Sequence, residues 1–180
     1  MKELSLHVLD VAKNSVKAGA TLTKIEIERA DDGMMTVRIS DNGCGMSEDI
    51  LKRVTDPFYT TRTTRKVGLG LPLWRLAAEQ TGGYMTIESS TEAGNSGTVV
   101  TAVFDTRSID CMPMGDIVST VVTLVSGSPD SDFLFTDSSS RRVISLDTRE
   151  MRAVLGEDVS LALPEVQLWM TEYLNEQYNN

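Results

Sequence analysis

The sequence predicts a mixed α/β fold in which helices cover one face of a largely antiparallel sheet. Residues 24–29 and 35–40 alternate apolar and polar side chains around a turn at residues 31–33 (Asp-Asp-Gly), which indicates a β-hairpin. Residues 4–18 and 71–81 instead repeat their apolar side chains with the period of an α-helix. With 180 residues and 41% hydrophobic composition, the chain is long enough to bury one main core and a small second one.

The first predicted helix, residues 4–18, has two distinct sides. Gly19 ends it, because glycine readily adopts the left-handed conformation that terminates a helix. The apolar side comprises Leu4, Val8, Val11, Ala12 and Ser15. The polar stripe comprises Glu3, His7, Asp10, Asn14 and Lys17.

Two helices and two strands are expected after the hairpin. Ser47 is a suitable N-cap for a short helix, which ends before a polar loop at residues 57–66. Pro72 suits the first turn of the next helix, residues 71–81, because its missing N–H has no intrahelical partner there. Two more strands are predicted, over residues 85–89 and 98–104.

The character of the sequence changes after Asp105. We therefore predict a first domain over residues 1–106 and a small C-terminal α/β region over residues 107–180. No catalytic signature stands out in this second region, and its role is not predicted. Its expected elements are a helix at 115–126, a hairpin of residues 133–136 with 142–146, and helices at 148–155 and 164–177.

Composition excludes several classes of function. The net charge of −9 and the pI near 4.6 disfavour binding of nucleic acid through neutralisation of its phosphates. Charges interrupt the N-terminus where a secretion signal would be apolar, and no segment approaches the ~20 apolar residues of a membrane span, so we expect a cytoplasmic protein without membrane contact. Cys44 and Cys111 lack a metal-binding spacing and are interpreted as reduced thiols, and a single histidine excludes a multi-histidine metal centre.

Asp41 is the first candidate binding residue. The alternation of Met35, Val37 and Ile39 places it on the apolar side of its strand, at the strand's end, with no cation adjacent in sequence. A carboxylate in that position needs a hydrogen-bond donor. The donor is either a ligand or the backbone of the following Asn-Gly, in an Asx-turn.

Asp10 and Asn14 are the second candidate pair. Their i, i+4 spacing projects both side chains from one face of the first helix, where they can contact one ligand. The alternative is a solvated polar stripe, which is the commoner fate of such a pattern.

The third candidate is the glycine-containing segment Val67-Gly68-Leu69-Gly70-Leu71, which leads directly into the helix that Pro72 begins. A helix start offers free backbone N–H groups and the positive end of the helix dipole to an anion such as phosphate. The segment is neither a Walker A motif nor a dinucleotide fingerprint. A plain junction between loop and helix is the alternative.

A basic cluster of Arg62, Arg65 and Lys66 lies just upstream, on a threonine-rich loop. Such a loop is able to close over a bound triphosphate as a mobile lid. A run of basic residues on a loop is more often only solvated, so the cluster alone does not establish a binding role.

Four segments occur in a specific order, and together they resemble the nucleotide site of the GHKL superfamily. This superfamily includes histidine-kinase catalytic domains, anti-sigma-factor kinases, type II topoisomerase subunits, heat-shock chaperones and MutL. The resemblance covers residues 5–104 and implies the Bergerat fold, an open mixed sheet with helices on one face, which binds ATP and Mg²⁺ between them. The segments are Asp10-x-x-x-Asn14, Asp41-Asn-Gly-Cys-Gly-Met46, Asp56-Pro-Phe-Tyr-Thr-Thr-Arg62 and Val67-Gly-Leu-Gly-Leu71.

The resemblance implies a role for each candidate around the base. Asp41 resembles the aspartate that accepts a hydrogen bond from the amino group of adenine, and Gly43 and Gly45 let the backbone approach the base. Met46 is expected to pack on the face of the base. Thr98 resembles the threonine that reaches adenine through water.

The resemblance also implies roles around the phosphates. Asn14 resembles the Mg²⁺ ligand, and Lys17 the phosphate-contacting lysine of histidine-kinase domains. Asp10 occupies the position where many members carry a glutamate general base, which is one methylene longer. Phosphate and lid contacts are expected from Phe58, Thr60, Thr61, Arg62, Gly68, Leu69, Gly70 and Leu71.

Three hypotheses of function remain open. The chain is a stand-alone protein kinase or ATPase of bacterial regulation, without phosphoacceptor and dimerisation helices since only nine residues precede Asp10. Alternatively, it is an ATP-dependent switch that binds a partner protein with little turnover, or an interaction protein whose site has decayed. His7 is a conceivable phosphoacceptor, although a helix-surface or site-lining histidine is the simpler interpretation.

Overall fold

The computed structural model describes residues 2–55, 70–156 and 158–180. Helices and strands fall where the sequence predicts them, and no predicted end is displaced by more than three residues. In chain order the elements are α1 (Leu4–Lys17), β1 (Leu22–Arg29), β2 (Met34–Asp41), α2 (Glu48–Thr55), α3 (Gly70–Gln80), β3 (Tyr84–Ser90), β4 (Gly97–Asp105), α4 (Ile117–Gly127), β5 (Asp132–Ser139), β6 (Val143–Asp147), α5 (Thr148–Leu155) and α6 (Pro164–Asn179). Within the described ranges, none of these helices is both long and apolar enough to cross a lipid bilayer.

The strands form one open mixed sheet in the order β3-β4-β2-β1-β5-β6. Four of the neighbouring pairs are antiparallel, and the pair of β1 with β5 is parallel. The parallel pair joins two distant parts of the sequence, because Ile25 of β1 lies opposite Phe135 of β5. The predicted α/β architecture, helices on one face of an open mixed sheet, is confirmed.

The core lies between the helices and one face of this sheet. A continuous row of buried apolar side chains crosses five strands, since each is the register partner of the next. On the helix side, α1 contacts α3 and α4, and α4 contacts α6. The row consists of Val100, Ile39, Ile25, Phe135 and Leu146.

The C-terminal region is continuous with the same sheet, because it supplies β5 and β6. It also caps α1. The first N–H groups of α1, which have no partner within the helix, donate from Leu4 to the carbonyl of Pro113 at 3.0 Å and from Ser5 to that of Met114 at 2.8 Å. The division at residue 106 stays a prediction, and the two parts share one sheet and one core.

His7 lies in the interface between α1 and α3. Its side chain is buried, with 2% of its surface exposed, and stacks on Trp74 with the ring centres 6.4 Å apart. The expectation of a helix-surface position is therefore wrong, because α3 covers this part of the polar stripe. Nδ1 of His7 has no hydrogen-bond partner among the described residues, and burial lowers the pKa of the imidazole.

A buried carboxylate ties α6 to the sheet. Asp137 of β5 is 3% exposed and accepts hydrogen bonds from Arg29 Nε at 2.9 Å and from Tyr178 Oη at 2.8 Å. Burial, followed by the charge of Asp137, raises the pKa of Tyr178 well above its usual range. Buried charges need such partners, so this network fixes the end of α6 against β1 and β5.

Replacement of Tyr178 by phenylalanine should lower the free energy of unfolding by about 1.5–3 kcal/mol, because one donor to a buried charge is lost. Urea denaturation measures the change. The Tyr84→Phe variant is the matched control, since Tyr84 is 57% exposed on an edge strand, and should change stability by less than about 0.5 kcal/mol. A raised pKa in the folded state means that the contribution of Tyr178 is present below pH ~10 and is lost above it. Equal stability of the two variants at pH 7 would contradict this account of the network.

His7 should titrate below its ordinary pKa. A lowered folded-state pKa means that its contribution to stability is present above pH ~6.5 and is lost as the pH falls through the folded-state value. NMR titration of the imidazole is unambiguous, since this is the sole histidine of the chain. We expect a midpoint below ~6.5 in the folded chain and near ~6.5 in urea. A folded midpoint at or above the unfolded one would show that burial does not control this group.

Candidate functional site

A cavity of about 240 Å³ opens between α1, α2, the start of α3 and the ends of β2 and β4. Seven residues that sequence analysis assigns to the candidate site line it: Asn14, Lys17, Asp41, Gly45, Met46, Leu71 and Thr98. Apolar side chains form most of the remaining wall: Val11, Ile39, Ile50, Val54 and Val100. The cavity therefore has an apolar interior with a small number of polar groups at defined points, as binding sites for small molecules commonly do.

Asp41 is held in a fixed orientation at the end of β2. Ser15 Oγ donates to its Oδ2 at 2.7 Å, and the Gly43 N–H donates to its Oδ1 at 2.9 Å. The second bond is the Asx-turn that the sequence left as an alternative. The Asx-turn leaves room for the predicted ligand contact, because a carboxylate has about four acceptor positions and these bonds use two of them.

Close backbone packing behind the cavity explains two glycines. Gly45 has φ +69°, and a Cβ there would lie 1.8 Å from the carbonyl oxygen of Ser90. Gly97 has φ +147°, and its Cβ would lie 2.0 Å from the carbonyl oxygen of Asp41. No side chain fits at either position, so the loop after β2 is pressed against the β3–β4 turn.

Ser89 joins this loop to β4. Its hydroxyl accepts a hydrogen bond from the Met46 N–H at 2.8 Å, donates to the carbonyl of Gly97 at 2.9 Å and lies 2.8 Å from Thr98 Oγ1. Thr98 is also the register partner of Asp41 across β2 and β4. The two predicted base-contacting side chains therefore lie side by side at one edge of the cavity.

The exposed stripe of α1 faces the start of α3. Asp10, Asn14 and Lys17 are all exposed, and a Cβ built on Gly70 lies 3.5 Å from Asp10 Oδ2. Gly70 is the first residue of α3, so the N–H groups of that helix start beside the carboxylate of Asp10. Asn14 and Lys17 line the cavity, and the carboxylate of Asp10 lies near the first N–H groups of α3, which have no partner within that helix.

The described residues supply few ligands for a metal ion at this cavity. Across residues 2–55, 70–156 and 158–180, no group of three or more His, Cys, Asp or Glu side chains is arranged to hold one. Asn14 offers one hard oxygen ligand at the cavity, in addition to the carboxylate of Asp41. A cation that keeps most of its water and also binds phosphate oxygens, such as Mg²⁺, suits this donor set.

Some of the predicted contacts lie outside the described residues. They are Phe58, Thr60, Thr61, Arg62, Gly68 and Leu69, together with Arg65, Lys66 and the rest of the proposed lid. Their roles stay predictions.

Sequence reasoning missed two hydroxyl groups of the site. The helical period places Ser15 on the apolar side of α1, where it is buried, but its hydroxyl is a donor to Asp41. A polar residue among Leu4, Val8, Val11 and Ala12 was the available signal, since a buried hydroxyl needs a partner. No comparable signal marks Ser89, because its contacts depend on the register of β3 with β4.

Curated relatives are similar to about half of the chain. The tetrathionate sensor histidine kinase TtrS of Salmonella typhimurium is 36% identical over 96 residues, and the histidine-protein kinase AfsQ2 of Streptomyces coelicolor is 32% identical over 97 residues. These matches cover 53% and 52% of this chain. The chain spans only 16% and 18% of the lengths of these kinases.

Solved structures extend the fold comparison beyond that half. The Aquifex aeolicus MutL ATPase domain complexed with ADP superposes with a TM-score of 0.51 at 16% identity, covering 86% of this chain and 69% of that domain. The N-terminal domain of a DNA repair protein gives a TM-score of 0.54 at 15% identity, covering 87% and 58%. At these identities the likeness shows the fold alone, and it includes part of the C-terminal region.

The family assignment depends on the segment that carries the cavity. Residues 2–108, more than half of the chain, match the family described as histidine kinase-, DNA gyrase B-, and HSP90-like ATPase. This range includes Asp10, Asn14, Asp41, the start of α3 and Thr98. The chain belongs to this family, and its first half is a histidine-kinase-like ATPase domain of the GHKL type.

Proposed function

We propose that this protein binds ATP with Mg²⁺ in the cavity beside Asp41 and transfers the γ-phosphate to a partner protein or to water. The single observation that supports the proposal most is the oriented carboxylate of Asp41 at the wall of an apolar cavity. Membership of a family of ATPases also supports the proposal.

Adenine suits the polar groups at this end of the cavity. Asp41 keeps acceptor positions after binding Ser15 and Gly43, and the amino group of adenine is a donor. Guanine and hypoxanthine carry a carbonyl at the same ring position, which would face the carboxylate with an unfavourable pairing of two acceptors. Ile39, Met46 and Val100 supply apolar surface for the faces of the base.

The triphosphate would extend toward the start of α3. Backbone N–H groups and the helix dipole favour negative charge there, and Lys17 adds a cation at the same cavity. Asn14 would hold Mg²⁺, which neutralises charge on the phosphate oxygens when bound. At about 240 Å³, the cavity is smaller than the roughly 300–1,000 Å³ of a typical ligand pocket, as expected if it holds the base and leaves the phosphates at its open side.

Asp10 is the candidate general base. It lies on the same face of α1 as Asn14 and close to Gly70, so its carboxylate is within reach of the region where a terminal phosphate would lie. In the proposed reaction it removes the proton from the attacking hydroxyl or water. Most of the rate enhancement of phosphoryl transfer comes from alignment and charge neutralisation, so the contribution of Asp10 is separable from binding.

The variant Asp41→Asn should lose affinity for ATP by at least about tenfold, equivalent to ~1.4 kcal/mol. Its amide offers one acceptor in place of a carboxylate and turns a donor toward either Ser15, Gly43 or the base. Isothermal titration calorimetry with ATP and Mg²⁺ measures the loss. The control is Asp130→Asn, which removes the same charge at an exposed position away from the cavity and should bind as the wild type does.

Unchanged affinity in Asp41→Asn, with a native circular dichroism spectrum, would contradict adenine recognition by this carboxylate. Weak binding of ATP by the wild type together with unchanged thermal stability in its presence would contradict the ATP site as a whole, since a ligand that binds only the native state must stabilise it.

The variant Asp10→Asn separates binding from chemistry. We expect its phosphate release or transfer to fall by about 10²-fold or more, the usual effect of removing a general base, with ATP affinity within a factor of about three of the wild type. Steady-state phosphate release and transfer from labelled ATP measure the rate. Wild-type turnover that is already negligible, with tight ATP binding, would instead favour the ATP-dependent switch. Full activity in Asp10→Asn would show that another group takes the proton.

A further inference from the structure

Helix α6 carries apolar side chains on more than one face. Val166, Met170 and Leu174 are buried in the core, at a spacing of four residues. Trp169 and Tyr173 also follow each other at a spacing of four, but they are 48% and 38% exposed. A helix with one apolar stripe packs against one partner. The second stripe of α6 has no covering element among the described residues.

This second stripe forms one wall of a groove of about 570 Å³ between α5 and α6. The rings of Trp169 and Tyr173 stack with their centres 4.9 Å apart, and Val154 on the opposite wall is 86% exposed. Large apolar side chains exposed together in a concave surface are uncommon unless the surface contacts something. The groove is completed by Leu146, Met151, Leu155, Val159, Leu163 and Val166.

The rim of the groove is negatively charged. Glu150 and Glu165 lie on it, and neither forms an ion pair within 4.0 Å in the described chain. The two arginines of α5 are already bonded, Arg149 to Asp147 and Arg152 to Asp132. Helix α6 has three glutamates and no basic residue, and the last lysine of the whole chain is at position 66.

We propose that the groove between α5 and α6 binds an amphipathic, basic helix of a partner protein. The apolar face of that helix fills the space between Val154 and Trp169, and its lysines or arginines lie against Glu150 and Glu165. Helix-in-groove recognition of this kind uses apolar anchors at positions i, i+3 or i+4, and i+7. The part of α6 that lines the groove, residues 165–173, extends for about 13 Å, which matches two to three turns of a partner helix.

The negative charge of the rim favours a basic partner helix over a second copy of the chain, an anionic lipid surface or a nucleic acid. A second copy of the chain would bring the same acidic rim against Glu150 and Glu165, and like charges placed together oppose association. Anionic lipid headgroups and nucleic-acid phosphates would be repelled for the same reason. A helix with positive charge beside its apolar face is attracted by the acidic rim and also buries its apolar side chains in the groove.

The groove is independent of the cavity beside Asp41. It lies at the β6 edge of the sheet, whereas the cavity lies among α1, β2 and β4. The proposal therefore does not depend on ATP binding, and variants in the groove should leave ATP affinity unchanged.

A designed 16-residue Leu/Lys amphipathic peptide is the probe, and the full chain is the receptor. The matched peptide replaces each lysine with glutamate. The chain has two tryptophans, of which Trp74 is buried and Trp169 is exposed. A blue shift of the tryptophan emission therefore indicates that the peptide covers Trp169. We expect saturable 1:1 binding of the Leu/Lys peptide with this shift, and at least tenfold weaker binding of the Leu/Glu peptide.

Three variants test whether the peptide binds in the groove. Val154→Glu places a charge on the groove wall and should weaken the Leu/Lys peptide at least tenfold, and Glu150→Lys should weaken it severalfold. Leu168→Glu is the matched control, because Leu168 is 60% exposed on α6 but does not line the groove. General attraction between a basic peptide and an acidic protein would be strengthened by both added glutamates, so only Val154→Glu distinguishes the groove.

Equal binding by Val154→Glu and Leu168→Glu would overturn the proposal, and so would equal binding of the two peptides. A chain that sediments as a dimer, and as a monomer after Val154→Glu, would show that a second copy occupies the groove. None of these outcomes changes the interpretation of the ATP measurements on Asp41.

Discussion

The rest of the site depends on the hydrogen bonds that hold the carboxylate of Asp41. Ser15 of α1 and the Gly43 N–H of the loop after β2 both donate hydrogen bonds to it. Gly97 of β4 packs against the backbone carbonyl of Asp41. Three elements therefore meet at one residue. The two hydrogen bonds restrict the orientation of this carboxylate, which lines the cavity and keeps further acceptor positions. Preorganised acceptors of this kind confer selectivity, since a ligand without the matching donor leaves them unpaired.

The C-terminal region supports this arrangement. The carbonyls of Pro113 and Met114 bind the first N–H groups of α1, and the far part of the same helix carries Asn14 and Ser15. Strand β5 pairs along the full length of β1, and the buried Asp137 links that pair to the end of α6. Residues 107–180 thus contribute to the core on which the cavity depends. The groove between α5 and α6 lies on their outer surface, away from this cavity.

Local pattern explains why most elements could be predicted. Alternation identifies β1 and β2, and Gly33 takes the positive φ of their turn. Pro72 and Gly82 mark the beginning and end of α3. The misses all involve contacts between distant parts of the sequence. The parallel pairing of β5 with β1, the cover of His7 by Trp74 and the bond from Ser15 to Asp41 join residues from 26 to 110 positions apart, so no local periodicity in the sequence indicates them. The resemblance of four ordered motifs supplied the candidate site because it carries such long-range information.

Comparison of ATP with inosine triphosphate in one calorimetric experiment is the most direct measurement of the central claim. The two nucleotides share the ribose and triphosphate, and they differ at the ring position that would face Asp41. If this carboxylate recognises the amino group, ATP should bind the wild-type chain at least about tenfold more tightly, which corresponds to ~1.4 kcal/mol. Equal affinities would contradict the account, since the oriented acceptor of Asp41 would then make no contribution to the choice of ligand.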